Sequence, residues 1–242
     1  MNYEIIDANT LFGFSPRQNL DTSIGQLQNM MKRNNVFRAI PYSLQGVYYD
    51  YRLGNQETVD LSKTHPEFIP AFSVDPRQYF GCIQEIELRA NQGLKLIRLF
   101  PEQQGWHFEA APIPKMLKAI ADYKLVSMVE SRSWGSATKL VEYTKRYNIP
   151  IILTGVSYFI MGEAIELVKT VPNIYLEPRL INTPDGIDLV AKECGAACMI
   201  FGSHAPFDTI EPALRLVEGS HISEEEKQLI FSGNIKRLLK LK

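Results

Sequence analysis

Eight short apolar runs recur along the chain, at 3–9, 35–41, 67–73, 94–100, 125–130, 149–154, 173–178 and 198–203. Amphipathic stretches separate most of them, near 21–33, 78–91, 112–123, 135–147, 161–170 and 184–195. This alternation constrains the fold more than any other feature. Runs such as Pro150-Ile151-Ile152-Leu153 lack polar alternation, so both faces need burial. Strands of that kind, separated by helices, make βαβ units in a parallel sheet. Eight such strands in 242 residues predict an α/β fold, a (β/α)8 TIM barrel in a single domain spanning 1–242. The second unit is irregular. Its segment 42–66 carries four tyrosines with Gly46, Gly54 and Asn55 and predicts a long loop with weak helix.

The tail fits this layout. Ser223-Glu224-Glu225-Glu226 is a capping box. Gly233-Asn234 predicts a helix break, followed by a last basic helix from Ile235. No internal repeat or linker divides the chain. A net charge of −1 with no basic stripe argues against nucleic acid as a partner. No apolar run is long enough to span a bilayer. The opening Met1-Asn2-Tyr3-Glu4-Ile5-Ile6-Asp7 lacks the pattern of a secretory leader. Cys82, Cys194 and Cys198 match no zinc or redox spacing and read as reduced packing residues. The expected location is therefore the cytoplasm.

A barrel places its chemistry at the C-terminal ends of the strands. The polar residues there are Asp7 and Asn9, Arg98, Glu130 with Arg132, Thr154, Glu177 with Arg179, and Ser203 with His204. They are either an active site or a ring of ion pairs closing the rim. His65 and His221 fall in surface segments. The loop 102–108 carries Trp106 and His107 and is expected over the mouth, as a lid, a substrate contact or a packed loop. The tyrosines of the 45–52 segment could line a pocket or support a homodimer.

Taken in order, several motifs resemble the amidohydrolase-related family, in its amidohydrolase 2 branch. Ile6-Asp7-Ala8-Asn9-Thr10-Leu11 lies where that family has Asp-x-His-x-His. Gly54-Asn55, Pro66-Glu67-Phe68-Ile69-Pro70-Ala71 and Arg98-Leu99-Phe100-Pro101 resemble its second helix, third strand and fourth strand. Phe201-Gly202-Ser203-His204-Ala205-Pro206 resembles its Phe-Gly-Ser-Asp-x-Pro, and Gly233 to Leu239 its Asn-Ala-x-Arg-Leu-Leu ending. The resemblance implies a TIM barrel with hydrolase or decarboxylase chemistry.

The metal-ligand motif is degenerate. The family's first-strand histidines fall on Asn9 and Leu11, its strand-six histidine near Thr154, and its strand-eight aspartate on His204. A leucine binds no metal, and an amide is a poor zinc ligand. The expectation is no cofactor. If a divalent ion binds at all, Glu130, Glu177 and His204 are the ligands to hold Mg2+ or Mn2+. Two readings follow. In one, His204 is a general acid or base, Glu177 or Asp7 orients it, and Asn9, Arg98, Glu130, Arg132, Thr154, Arg179, Trp106 and His107 hold a small carboxylate or phosphate substrate. In the other, the barrel is catalytically inactive and binds a small anion or a partner subunit. A catalytic site requires His204 on a single carboxylate with open space beside it. A dead rim requires a packed histidine and fully paired arginines.

Overall fold

The computed structural model describes residues 3–241. Met1, Asn2 and Lys242 lie outside them, and so does the start of the segment 1–7 read above for a leader pattern. Strands β1 (Ile6–Phe12) and β2 (Arg38–Ser43) pair in parallel. A second parallel sheet runs in chain order through β3 (Phe72–Ser73), β4 (Leu96–Leu99), β5 (Val126–Glu130), β6 (Ile151–Thr154) and β7 (Ile174–Leu176). Isolated parallel bridges Ala39–Phe68, Leu176–Met199 and Thr10–Ala205 join these sheets into a closed ring. The expected barrel is therefore present.

Its eighth position is not the expected ladder strand over 198–203. Ala196–Cys198 forms a 3-10 turn, and the chain beyond it makes single bridges. The cause lies in the C-terminal helix, which takes part of the strand's bonding capacity. Asn234 Nδ2 donates to the carbonyls of Ala196 (2.9 Å) and Met199 (2.7 Å), and Phe201 N–H donates to Ile230 (3.0 Å).

Twelve α-helices surround the ring: α1 (Ile24–Arg33), α2 (Leu44–Tyr48), α3 (Tyr51–Thr64), α4 (Cys82–Asn91), α5 (Pro101–Gln104), α6 (Ile113–Asp122), α7 (Ser136–Thr144), α8 (Met161–Thr170), α9 (Gly186–Cys194), α10 (Ile210–Glu218), α11 (Glu224–Gln228) and α12 (Asn234–Leu239), counted among the described residues. None is long and apolar enough to cross a membrane.

The segment 42–66 departs from expectation. It is two helices, and α3 is the longest in the fold. Asp50 caps α3 by accepting from the N–H groups of Arg52 (2.8 Å) and Leu53 (3.4 Å). The glycines that read as loop residues are contact points instead: a Cβ on Gly54 would lie 2.2 Å from Gly46 N. Helix α10 was not anticipated. The predicted break at Gly233-Asn234 is absent too. A single π-turn, Leu229–Gly233, joins α11 to α12, and Gly233 (φ −58°) and Asn234 (φ −68°) are both helical.

Apolar side chains form two layers. One packs the helices onto the outside of the strands. The other fills the barrel interior with Ile6, Ile40, Leu96, Met128, Ile152 and Ile200 among its members. Side chains alternate along a strand, so Arg98 follows Leu96 inward, Glu130 follows Met128, and Thr154 follows Ile152. Polar groups thus cap an apolar interior at the C-terminal ends of β4, β5 and β6.

Candidate active site

An open cavity of about 420 Å³ sits above that cap. Arg98 and Glu130 reach it from the strands, Glu102 and Gln103 from α5, Arg132 from the turn after β5, and His204 with Phe207 from the eighth position. Leu11, Leu44, Val47, Tyr48 and Phe100 supply its apolar wall.

Arg98 is the cation at its floor. The residue is 1% exposed. Its guanidinium lies over the rings of Phe100 (4.7 Å) and Tyr42 (5.2 Å) and donates through Nη1 to Asn9 Oδ1 (2.5 Å). Among the described ion pairs it has no carboxylate partner within 4.0 Å, and its Nε–H is buried without an acceptor. Burial pushes its pKa down, opposed by Tyr42, Glu130 and Glu177. Guanidinium is basic enough to stay charged regardless. A buried cation without a close counter-ion is costly, and an anionic ligand is the ordinary remedy.

His204 stands at the side of the cavity, with 17% of its side chain exposed. Its backbone is left-handed (φ +65°), a conformation that costs a non-glycine residue about 1–2 kcal/mol. Three contacts hold it there. His204 N–H donates to Asn9 O (2.6 Å), and buried Asp7 accepts from Ser203 N–H (3.0 Å) and from the Ser203 hydroxyl. Gly202 lets the chain pass this close, because a Cβ there would lie 2.7 Å from both Asn9 Cβ and Glu177 Cγ.

The ring stacks on Phe207 (5.4 Å between centroids), and its Nδ1 lies 3.1 Å from Asp208 Oδ2. Burial lowers the imidazole pKa, Arg98 and Arg179 lower it further, and Asp208 opposes them. The His204 hydrogen bond holds the Asp208 carboxyl below its ordinary range. With Asp208 ionised, Nδ1 carries the proton and Nε2 is left as a basic nitrogen.

The remaining candidates divide. Glu130 accepts from Arg132 (2.7 Å) and Gln103 (2.9 Å). Burial raises its pKa, but Arg132 and Arg98 outweigh that and hold it low. Arg179 reaches Asp208 (2.8 Å) and lies 3.3 Å from Glu177 Oε2, although the latter geometry leaves its Nε without a true hydrogen bond.

Asp7 and Glu177 are fully buried and do not line the cavity. Burial pushes Asp7 up to about 6 against Ser203, and Glu177 up to about 7 against Arg179. The ring's partner is therefore Asp208 and not Asp7 or Glu177. Thr154 is buried beneath the floor with no partner for its hydroxyl.

Trp106 and His107 also fall elsewhere. They line an adjoining cleft of about 200 Å³, which shares Glu102 and Glu130 with the cavity. Trp106 packs on Phe108 (5.2 Å) and donates to Gln104 (2.8 Å), so its end of the loop is packed, and neither Trp106 nor the exposed His107 lines the mouth cavity. The tyrosine cluster splits three ways: Tyr48 lines the cavity, Tyr49 is exposed and Tyr51 is core.

Sequence reasoning missed Asp208, Arg17, Gln103 and Phe207. Arg17 lies over the Tyr48 ring (5.2 Å) and donates to Gln103 O (3.3 Å). Its position in the loop after β1 was a usable signal, because all such loops border the mouth.

With Arg98 in place, the donor set does not fit a divalent ion. Leu11 offers no ligand atom. Asn9 Oδ1 is taken by Arg98, both Glu130 oxygens by Arg132 and Gln103, and both Glu177 oxygens by Arg179 N–H (2.9 Å) and Asn9 (3.1 Å). Glu130, Glu177 and His204 do not converge. Among the described residues, the grouping with ligand spacing is Asp185, Asp188 and His221, which lies away from the cavity.

No protein-family model and no curated protein matches the chain. Solved structures do. The 5-carboxyvanillate decarboxylase of Sphingomonas paucimobilis superposes with TM-score 0.78 at 14% identity, covering 99% of this chain and 100% of that one. An uncharacterised TIM-barrel protein of Bordetella bronchiseptica gives 0.79 at 14%, over 98% and 99%. A dihydroxybenzoic acid decarboxylase of Polaromonas sp. JS666, solved with manganese and 2-nitroresorcinol, gives 0.73 at 15%, over 99% and 97%. Others are described as amidohydrolases. At such identities the likeness establishes the fold.

Proposed function

We infer that the chain uses its TIM-barrel fold, shared with solved structures described as decarboxylases and amidohydrolases, for chemistry of their kind. We propose that it is an enzyme that hydrolyses a small carboxylate-bearing ester, lactone or amide at the barrel mouth, with His204 as general base and without the manganese of its structural neighbours. One observation carries the reading. A buried guanidinium without a carboxylate and an imidazole held by one carboxylate face the same cavity.

The substrate carboxylate pairs with Arg98, which stacking has already fixed in place. Asp208 keeps Nδ1 protonated, so Nε2 accepts a proton from water as its oxygen bonds to the acyl carbon. The acyl C–O or C–N bond then breaks, and the same proton passes from Nε2 to the leaving group. The arginines at the rim extend the positive field towards solvent. Decarboxylation is the second reading, favoured by the chemistry of the neighbours. Arg98 then holds the carboxylate that is lost, and a proton must be delivered to carbon. Three free cysteines suit a cytoplasmic setting for either.

A thermal-shift screen of small carboxylates, phosphates and lactones finds the ligand class, because binding raises stability by mass action. The ligand found then serves as the template for substrates. His204→Asn is expected to lower turnover about 10²–10⁴-fold while leaving ligand binding intact. Unchanged turnover in that variant would assign proton transfer to another group. No stabilisation by any anion would remove the basis of the proposal.

A further inference from the structure

We propose that Arg98 is a resident cation that replaces a divalent metal ion in this barrel. The argument begins at Asn9, which occupies the position of a first-strand metal ligand in the family that the sequence resembles. Its one ligand-grade atom, Oδ1, already accepts from Arg98 Nη1 at 2.5 Å. The guanidinium is held by its own surroundings and not by a counter-ion. Phe100 and Tyr42 flank it, it is 1% exposed, and no described carboxylate lies within ion-pair distance.

The charges around it match this role. Glu130 and Glu177 are the carboxylates whose fields act on Arg98. Each is turned to other donors, Glu130 to Arg132 and Gln103, Glu177 to Asn9 and the Arg179 backbone. A divalent ion brought to Asn9 would meet a fixed positive charge at contact distance in a buried setting, where like charges repel strongly. The same guanidinium borders the cavity with its charge uncompensated, so it can attract a ligand anion as a metal would. It differs from a metal in supplying directional N–H donors and no water activation. That leaves His204 as the group that must handle the proton.

This inference concerns the same cavity as the proposed function, but its readout is metal, so the two fail separately. Protein purified without chelator is analysed for bound metals and titrated with Mn2+ by electron paramagnetic resonance and by thermal shift. The natural chain is expected to hold well under one equivalent of any divalent ion and to show no manganese-dependent shift. Stoichiometric metal at this site, or stabilisation by Mn2+ that a Glu130→Gln variant abolishes, would overturn the proposal.

Arg98→Met keeps an apolar stem between the two rings and removes the charge. It is expected to gain a manganese-dependent rise in melting temperature, because the fixed positive charge beside Asn9 is then gone and Asn9 Oδ1 is free. A folded Arg98→Met that still ignores manganese would show that the donor set alone excludes the ion, and the replacement would be disproved. Should that variant not fold, Arg98→Lys, which keeps the charge, must remain indifferent to manganese. A gain of manganese binding there would count against the proposal.

Discussion

His204 carries a protonation state that its neighbours set against one another. Burial and two arginines favour the neutral ring, and Asp208 alone favours the imidazolium. Asp208→Asn removes that support, so the pKa of His204 falls further. The acid limb of kcat/KM is then expected to move to lower pH, and the ring's own titration followed by NMR should move with it. A limb that stays in place would belong to a different group. At this scale the sequence was informative about residue type and weak about partnership. His204 and Arg98 were visible because strand ends in a barrel face a common mouth. Asp208 was not singled out, although it lies only four residues beyond His204. Partner choice depends on how the chain turns after Ala205, and no local pattern encodes that. Trp106 and His107 show how a loop at the mouth can divide. Their loop does border the mouth, but α5 turns Glu102 and Gln103 towards it and leaves the aromatic end behind.

Elements were legible where periodicity is local. Seven of the eight strands and the six expected helices arose from alternation that each segment carries by itself. The failures have tertiary causes. Gly46 and Gly54 fall in the 42–66 segment because α2 and α3 touch backbone to backbone, with a Cβ on Gly54 reaching within 2.5 Å of Gly46 Cα. Gly54→Ala should therefore separate the two helices and cost about 3 kcal/mol, the upper end of ordinary overpacking. The urea midpoint should fall with little change in slope. Gly93→Ala is the comparison. Its site is open, with no atom within 4 Å, but left-handed (φ +92°), so the loss there is about 1 kcal/mol from backbone conformation alone. Equal losses would rule out the steric account. The eighth strand was misjudged for a related reason. Its sequence is strand-like, but Asn234 and Ile230 take some of its backbone bonds, and no pattern within 198–203 shows that.

The whole molecule buries two carboxyl groups beneath its cavity. Asp7 is raised to about 6 and Glu177 to about 7, both chiefly by burial. A carboxyl whose pKa is raised on folding stabilises the fold fully below its unfolded value. That contribution is lost as pH rises towards the folded value. For these two groups the window runs from about pH 4 to about pH 7, with a ceiling of about 3 kcal/mol each. Glu177→Gln should gain stability relative to the natural chain as pH rises through that window. Urea titrations at its two ends provide the check, and a gap that does not change would mean that Glu177 is already ionised. The left-handed backbone at position 204 has a consequence in genetic terms. Aspartate, asparagine and histidine are the non-glycine residues most at home in that conformation. The codons of aspartate and histidine differ by one base. A single point mutation can therefore exchange an anionic ligand for a base at this position and leave the path of the chain unaltered. A fold with such a position can change its chemistry without first being rebuilt.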